Sequence, residues 1–265
     1  MLKFTKMHGT GNDYIYFDCT KEDITNPEEL SVKLSDRHFG IGSDGVILIR
    51  PSKEADFKMS MFNADGSEGQ MCGNGIRCVG KFVYDKGLTD KLSVNIETRD
   101  GIKYLDLTVQ NGKVSTIKVN MGKAVLKGKD IPTTFDMDKV VNESLMVDGA
   151  EYKVTCVSMG NPHCVVYVDD TVSLDLESIG PGFDFHKAFP ARVNTEFIKV
   201  IDDKTLEMRV WERGSGETFA CGTGACACVV ASVLNGYCKY NEEVTVKLRG
   251  GDLKITYKDD GTVIM

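Results

Sequence analysis

The chain carries an internal duplication, and this feature limits its possible folds more than any other. A shift of 149 residues (221 − 72) places Cys72-Gly73-Asn74-Gly75 on Cys221-Gly222-Thr223-Gly224. The same shift places Gly11-Asn12 on Gly160-Asn161, and the register holds from residue 11 to residue 114. One register over such a length predicts two structurally related halves, in contrast to the many short copies of a solenoid.

Each half is predicted to be mixed α/β, with strands rich in aromatic and β-branched residues. Helices should follow the two Cys-Gly-x-Gly segments, at Ile76–Lys86 and Ala225–Asn235, and Gly87 and Gly236 should cap their ends in a left-handed conformation. The second helix is apolar almost all round, so we expect it to be buried on every side, with a sheet wrapped around it. The predicted strands are Tyr14–Asp18, Val46–Ile49 and Leu92–Glu97 in the first half and Cys164–Asp169, Glu196–Val200 and Glu243–Leu248 in the second. The register slips by one residue around Val94 and Val244.

The duplication also predicts the domain organisation. We expect an N-terminal α/β half at residues 1–117, a connecting segment at 118–149 and a C-terminal α/β half at 150–265. Each half should be a mixed, largely antiparallel sheet or barrel around a central helix. The active site should lie in a cleft between the halves.

Composition and charge exclude several classes of protein. The 265 residues are enough for a large core, and the net charge of -7 without a basic stripe argues against nucleic acid as a partner. No apolar run approaches the roughly 20 residues that cross a bilayer, and the first residues lack a signal peptide's apolar stretch. The nine cysteines form no CxxC pair, so we expect no metal site. These features predict a cytoplasmic protein that does not bind membranes.

Each Cys-Gly-x-Gly segment places a cysteine directly before a helix. The first amides of a helix have no intrahelical partner and, with the helix dipole, they bind anions such as carboxylates. We therefore expect the amides of Gly73, Asn74 and Gly75 to face a substrate carboxylate. The same position lowers the pKa of a cysteine and raises its thiolate fraction. Cys72 and Cys221 are accordingly predicted to be reactive thiols.

The duplication makes these two cysteines a pair. An approximate twofold axis would bring both helix starts together, so that a thiolate and a thiol flank one α-carbon from opposite faces. Removing a proton on one face and returning one on the other inverts the carbon, which is general acid–base catalysis. Amides around the carboxylate would stabilise the carbanion. The residues thus predict an amino-acid racemase or epimerase.

Seven longer motifs accompany the two cysteine segments. They are Met7–Asp13, Phe62–Ser67, Gln70–Cys78, Gly160–His163, Arg192–Phe197, Trp211–Gly214 and Ala220–Gly224. Through them the chain closely resembles the diaminopimelate epimerase family over nearly its whole length. The resemblance implies interconversion of LL-2,6-diaminopimelate and meso-diaminopimelate without pyridoxal phosphate, metal or any other cofactor. It also implies a place in lysine and peptidoglycan precursor biosynthesis, and a homodimer.

The resemblance further implies a role for each motif residue. Cys72 would accept the proton of the LL substrate and Cys221 would donate one, with the roles exchanged in reverse. His163 and Glu212 would tune the pKa values of the two cysteines. The implied substrate-binding residues are Asn12, Asn63, Gly73, Asn74, Asn161, Asn194, Glu212, Arg213, Gly222 and Thr223. Arginine suits this role because it grips a carboxylate with two parallel hydrogen bonds, and asparagine both donates and accepts.

The sequence departs from the family pattern at one position, and two alternative functions remain open. Some family members carry glutamine at the position of Gly45. A proline racemase or hydroxyproline epimerase also uses two cysteines, but these enzymes typically carry histidine at the position of Asn74. A non-catalytic amino-acid-binding protein of the same fold would not need both cysteines.

Overall fold

The two halves of the sequence fold with the same order of elements. The structure, a computed structural model, describes residues 2–265, and the chain divides into the units Met1–Asn120 and Met121–Met265. The first unit contains the strands β1 (Thr5–Gly9), β2 (Asn12–Asp18), β3 (Gly45–Arg50), β4 (Phe57–Asn63), β5 (Glu68–Gly69), β6 (Ser93–Thr98), β7 (Gly101–Gln110) and β8 (Lys113–Lys123), the last of which crosses the boundary.

The second unit repeats this series after one additional strand. Its strands are β9 (Glu143–Val147), β10 (Ala150–Ser158), β11 (Pro162–Tyr167), β12 (Asn194–Asp202), β13 (Thr205–Glu212), β14 (Gly216–Thr218), β15 (Glu243–Leu248), β16 (Gly251–Tyr257) and β17 (Thr262–Ile264). The helices of the chain are α1 (Pro27–Ser35), α2 (Gly73–Asp85), α3 (Leu176–Asp184) and α4 (Gly222–Leu234), with a 3-10 turn at Gly128–Asp130.

Strand pairing is the same in both units. In the first, β2 is antiparallel to β1 and parallel to β3, β4 is antiparallel to β3 and parallel to β6, and β6, β7 and β8 follow antiparallel. In the second, β11, β12, β13, β15, β16 and β17 pair in the same senses, beginning from β10. Most pairs are antiparallel, so the predicted mixed, largely antiparallel α/β architecture is confirmed.

The helices after the two cysteines begin three residues before the predicted starts at Ile76 and Ala225, because the glycines themselves form the first turn. Helix α2 begins at Gly73 and α4 at Gly222, and Gly87 and Gly236 follow their ends with φ angles of 72° and 79°. Residues 225–232 of α4 are completely buried, and α4 packs against β10 to β13 and β15 to β17. The prediction of a fully buried helix inside a sheet is therefore confirmed for the second unit.

Some local predictions need correction. The strand predicted at Cys164–Asp169 lies at Pro162–Tyr167, and just beyond its end Val168 still donates its amide to the Ile198 carbonyl at 2.9 Å. The slip of one residue is confirmed, since β6 begins at Ser93 and β15 at Glu243. Helices α1 and α3, related by the same shift of 149 residues (176 − 27), were not predicted. No helix within residues 2–265 is long and apolar enough to span a bilayer.

Candidate active site

Both cysteines cap their helices through sulfur. Cys72 has extended backbone angles (φ -128°, ψ 116°), and its Sγ accepts the amide of Gly75 at 3.3 Å. Cys221 is alike (φ -119°, ψ 113°), and its Sγ accepts the amide of Gly224 at 3.4 Å. The expectation that the Gly75 amide faces a substrate is therefore wrong, because the cysteine itself takes that amide. The two preceding amides of each helix start, those of Gly73 and Asn74 and of Gly222 and Thr223, remain the ones predicted to bind a carboxylate.

Cys72 is half-buried and contacts two neighbours on β2. Its thiol donates to Asn12 Oδ1 at 3.3 Å, while Asn12 Nδ2 donates to Asp44 Oδ2 at 2.7 Å. Because Asp44 accepts only, it fixes the asparagine with its oxygen toward the sulfur. Tyr14 interacts with both Asn12 and Cys72, and burial raises the pKa of its hydroxyl far above the ordinary value.

Asn74 stabilises the start of α2 through its side chain. Its Oδ1 accepts from Thr10 Oγ1 at 3.2 Å and from Arg77 Nη2 at 3.1 Å. Arg77 also donates from Nη1 to the carbonyl of Gly73 at 2.9 Å. The side chain of Asn74 is therefore committed to the helix start, and only its backbone fits the predicted contact with a carboxylate.

Gly45 and Asn63 lie opposite each other on β3 and β4. Asn63 Nδ2 donates to Ser67 Oγ at 3.0 Å within the following turn. A Cβ atom at Gly45 would lie 2.1 Å from the carbonyl oxygen of Phe62 and 2.9 Å from the Tyr14 ring. Since real Cβ contacts are never this short, this backbone excludes the glutamine that some family members carry.

Cys221 differs from Cys72 in its surroundings. It is 6% exposed, and its sulfur lies 3.4 Å from Thr223 Oγ1. Burial raises the pKa of the Cys221 thiol well above the ordinary value and the Glu212 carboxylate raises it further, whereas Thr223 and the Gly224 amide lower it. The expectation of a depressed pKa at this helix start is therefore wrong for Cys221, because desolvation and a nearby negative charge outweigh the helix amides.

The residues predicted to hold the far end of a substrate cluster at the ends of β12 and β13. Glu212 Oε1 accepts from Thr218 Oγ1 at 2.5 Å. Asn194 is buried and bonds to backbone on both sides, through Nδ2 to the Pro162 carbonyl at 2.9 Å and through Oδ1 to the Arg213 amide at 3.0 Å. The exposed Arg213 guanidinium donates to the carbonyl of Ala191 at 2.9 Å. Asn194 thus positions the chain at Arg213.

His163 links Asn161 to a carboxylate that was not predicted as a site residue. His163 Nδ1 lies 2.7 Å from Glu196 Oε1, and Nε2 lies 3.0 Å from Asn161 Oδ1. Both His163 and Glu196 are completely buried. Burial raises the pKa of Glu196, while His163 opposes that rise.

Three residues near the cysteines were not predicted from the sequence. They are Asp44, Arg77 and Glu196. The shift of 149 residues contains a usable signal for the last, because it places Glu196 opposite Ile47, which lies within the apolar run Val46–Ile49 of β3. A carboxylate where the other half has an isoleucine marks a position at which the halves diverge in chemistry.

Similar solved structures define the class of fold. A probable proline racemase from Agrobacterium radiobacter K84 matches over 100% of this chain and 88% of its own, with a TM-score of 0.71 and 12% identity. A PhzF family phenazine biosynthesis protein from Bacillus anthracis matches over 99% of this chain and 93% of its own, with a TM-score of 0.66 and 16% identity. At 12% and 16% identity, these similarities show that the chain shares the fold of both proteins, and they say nothing about its activity.

Sequence similarity identifies the family within that class. The profile of the Diaminopimelate epimerase family matches residues 4–127 and 155–265. A diaminopimelate epimerase from Acetivibrio thermocellus is 58% identical over 98% of this chain and 92% of its own length. One from Methanococcus maripaludis strain C5 is 57% identical over 97% of this chain and 92% of its own. The chain belongs to the diaminopimelate epimerase family, an isomerase family, as its motifs predict.

Proposed function

We propose that this chain epimerises LL-2,6-diaminopimelate to meso-diaminopimelate without a cofactor, with Cys72 and Cys221 as the two bases, for lysine and peptidoglycan precursor biosynthesis. The observation that carries the proposal is the equivalent capping position of both cysteines in a member of this family. Inversion at an α-carbon needs one group that removes a proton and another that supplies one from the opposite face. A duplicated fold provides two such groups in equivalent settings.

The surroundings of the two sulfurs support different roles in proton transfer. Burial and Glu212 keep Cys221 in the thiol form, since they raise its pKa. Cys72 is less buried, and Asn63 occupies the position equivalent to Glu212 (212 − 63 = 149). Cys72 is therefore the acceptor of the α-proton of the LL substrate and Cys221 the donor, and the roles exchange in the reverse direction.

The two helix starts support binding of the reacting carboxylate. Loss of the α-proton spreads negative charge onto this carboxylate, so donors aimed at it stabilise the transition state. The amides of Gly73, Asn74, Gly222 and Thr223 supply those donors. The next amide in each helix, that of Gly75 or Gly224, bonds to the cysteine sulfur instead. This bond holds each thiol next to the two amides proposed to bind the carboxylate.

The other end of the substrate is an amino-acid group as well, and the polar residues around the two thiols can hold it. Arg213 binds its carboxylate, while Glu212 binds an ammonium group. The asparagines assigned to the substrate are Asn12, Asn63, Asn161 and Asn194. Because Asn194 already bonds to two backbone groups, its main contribution is to hold Arg213 in place.

Isotope exchange tests this function directly. Purified protein incubated with LL-diaminopimelate in heavy water should give the meso isomer with deuterium at one α-carbon, measured by chiral chromatography and mass spectrometry. L-Proline is the matched comparison for the rival racemase activity and should gain no deuterium. Deuterium in proline and none in diaminopimelate would overturn the proposal.

We also infer that the protein acts as a homodimer in the cytoplasm. Chemistry through two thiols requires the reducing conditions of that compartment. The dimer is supported by the family resemblance. Light scattering during size-exclusion chromatography should give the mass of two chains, and the mass of one chain would contradict the dimer.

A further inference from the structure

Glu196 lies on β12, and its completely buried carboxyl group packs against the start of α4. A Cβ atom at Gly224 would lie 2.5 Å from Glu196 Oε1, so the carboxyl group packs against the first turn of the helix that Cys221 caps. The equivalent residue of the first half is Ile47 (196 − 47 = 149). Burying a carboxylate costs free energy unless it is neutralised or paired. A carboxylate at this position in the second half alone therefore indicates a role specific to that half.

The contacts of His163 indicate which atoms of the His163–Glu196 pair carry hydrogens. Asn161 Oδ1 carries no hydrogen, so His163 Nε2 donates across the 3.0 Å between them. A second proton lies between Nδ1 and Glu196 Oε1, which are 2.7 Å apart. The pair is electrically neutral wherever this proton resides. Neutrality fits the site, because Glu196 Oε2 is buried and makes no hydrogen bond within residues 2–265.

This chain of hydrogen bonds fixes the direction of an amide. Asn161 offers its oxygen to His163, which leaves its Nδ2 hydrogens for a ligand. Asn12, the equivalent residue, is turned the other way, because its Nδ2 donates to Asp44 and its oxygen accepts from the Cys72 thiol. Two asparagines at equivalent positions thus present opposite polarity, and each is held by a different anchor.

We propose that Glu196 is a positioning residue, which holds His163 so that Asn161 presents its hydrogen-bond donors to the substrate. This role rests on the proposed function, since it serves the groups beside Cys221. An amino acid carries both an anionic and a cationic group, and a donor and an acceptor amide recognise different ends of it. A rotated Asn161 would offer an oxygen where the substrate needs a donor.

Two variants of Glu196 separate positioning from other roles. Glu196→Gln keeps the shape and can donate to Nδ1, so it should retain kcat within about threefold. Glu196→Ile copies the residue of the other half and leaves Nδ1 without a partner. It should lower kcat/KM for diaminopimelate by about tenfold or more, the effect of losing a hydrogen bond to a charged group. Glu207→Ile, the same change on β13 where Glu207 bonds to Thr171, is the matched control and should leave activity unchanged.

Nitrogen-15 NMR of the imidazole rings provides a readout that needs no turnover. The chain has four histidines, so the His163 signals can be assigned with one His163→Gln variant. We expect a protonated Nε2 in the wild type and in Glu196→Gln, and a broadened or shifted signal in Glu196→Ile. An unprotonated Nε2 in the wild type would overturn the proposal. So would equal losses of kcat/KM in Glu196→Gln and Glu196→Ile, or full activity of Glu196→Ile.

A variant of Asn161 covers the case in which Glu196→Ile does not fold. Asn161→Asp keeps an oxygen for His163 but lacks the Nδ2 hydrogens, so it should retain the Nε2–H signal and lose about tenfold or more in kcat/KM. Wild-type activity in Asn161→Asp would overturn the proposal. A wild-type protein with the expected NMR signals but no turnover of diaminopimelate would instead overturn the proposed function, and with it the catalytic part of this role.

Discussion

The surroundings of Cys72 and Cys221 differ far more than the backbones that hold them. Strand order, helix starts and the sulfur-to-amide cap are the same in both units. The side chains at equivalent positions are Tyr14, Ile47 and Asn63 in the first unit and His163, Glu196 and Glu212 in the second. The shared backbone places two thiols alike, and these substitutions surround them with different side chains.

The two helices show a second contrast. Helix α4 is sealed inside its sheet, whereas α2 leaves Arg77 half-exposed, with its guanidinium bonded to Gly73 and Asn74. The position equivalent to Arg77 is Cys226, which is fully buried. Hydrogen bonds from Arg77 thus stabilise the start of α2, whereas packing stabilises the start of α4.

The largest effect is expected from removal of either thiol. Cys72→Ala and Cys221→Ala should each lower kcat for diaminopimelate by about a thousandfold, because each lacks one partner in proton transfer. Chiral assays from both isomers measure the loss. Cys238→Ala, at a buried cysteine outside the site, should retain activity. If both single variants were fully active and only the double variant failed, the two-base mechanism would be wrong.

Gly45 tests whether the close backbone contact at this position of the first half excludes a side chain. Gly45→Ala should lower the free energy of unfolding by about 2 kcal/mol or more, because the new methyl group would collide with the Phe62 carbonyl. Urea unfolding measures the change. Gly87→Ala has a positive φ but nothing within 4 Å of its Cβ, and should cost about 1 kcal/mol from backbone conformation alone. Equal losses would show that the close contact relaxes.

Glu212 tests the electrostatic difference between the thiols. Because its carboxylate raises the pKa of Cys221, Glu212→Gln should increase the thiolate fraction and speed alkylation of Cys221 by iodoacetamide at pH 8 by about threefold to tenfold. Peptide mass spectrometry follows each cysteine separately. Asn63→Asp adds a carboxylate at the equivalent position and should slow alkylation of Cys72. An unchanged rate at Cys221 would contradict the effect assigned to Glu212 on the pKa of this thiol.

The smallest effect concerns two equivalent glutamates at β5 and β14. The hydrogen bond from Arg209 lowers the pKa of Glu217, so its stabilisation is present above the ordinary carboxyl pKa and is lost as pH falls through the folded value. Glu217→Gln should therefore lower the free energy of unfolding at pH 7 by about 1 kcal/mol or less, and the difference should shrink at acidic pH, as Glu217 takes up its proton. Glu68→Gln, in a more exposed pair with Arg99, should change little at either pH. Equal effects at both sites would contradict this difference.

The sequence predicts the repeated framework well, because glycines at helix ends and β-branched strands express local preferences of the backbone. It misses α1 and α3, since α3 contains Pro181 and two glycines and is stabilised by an Asp175 cap and by packing on β12 to β14. The helix start also predicts the wrong pKa direction for Cys221. Burial, which the chain creates only by folding, decides that direction, and it likewise makes Glu196 a core residue.

The sulfur caps have a consequence for the energy of the catalytic cycle. A thiolate accepts a hydrogen bond more strongly than a thiol does, so a deprotonated cysteine secures the first turn of its helix more firmly. As the proposed reaction moves a proton from one cysteine to the other, one helix start loosens while the other tightens. The two changes have opposite signs, so each turnover of the proposed reaction exchanges the stronger cap from one helix start to the other.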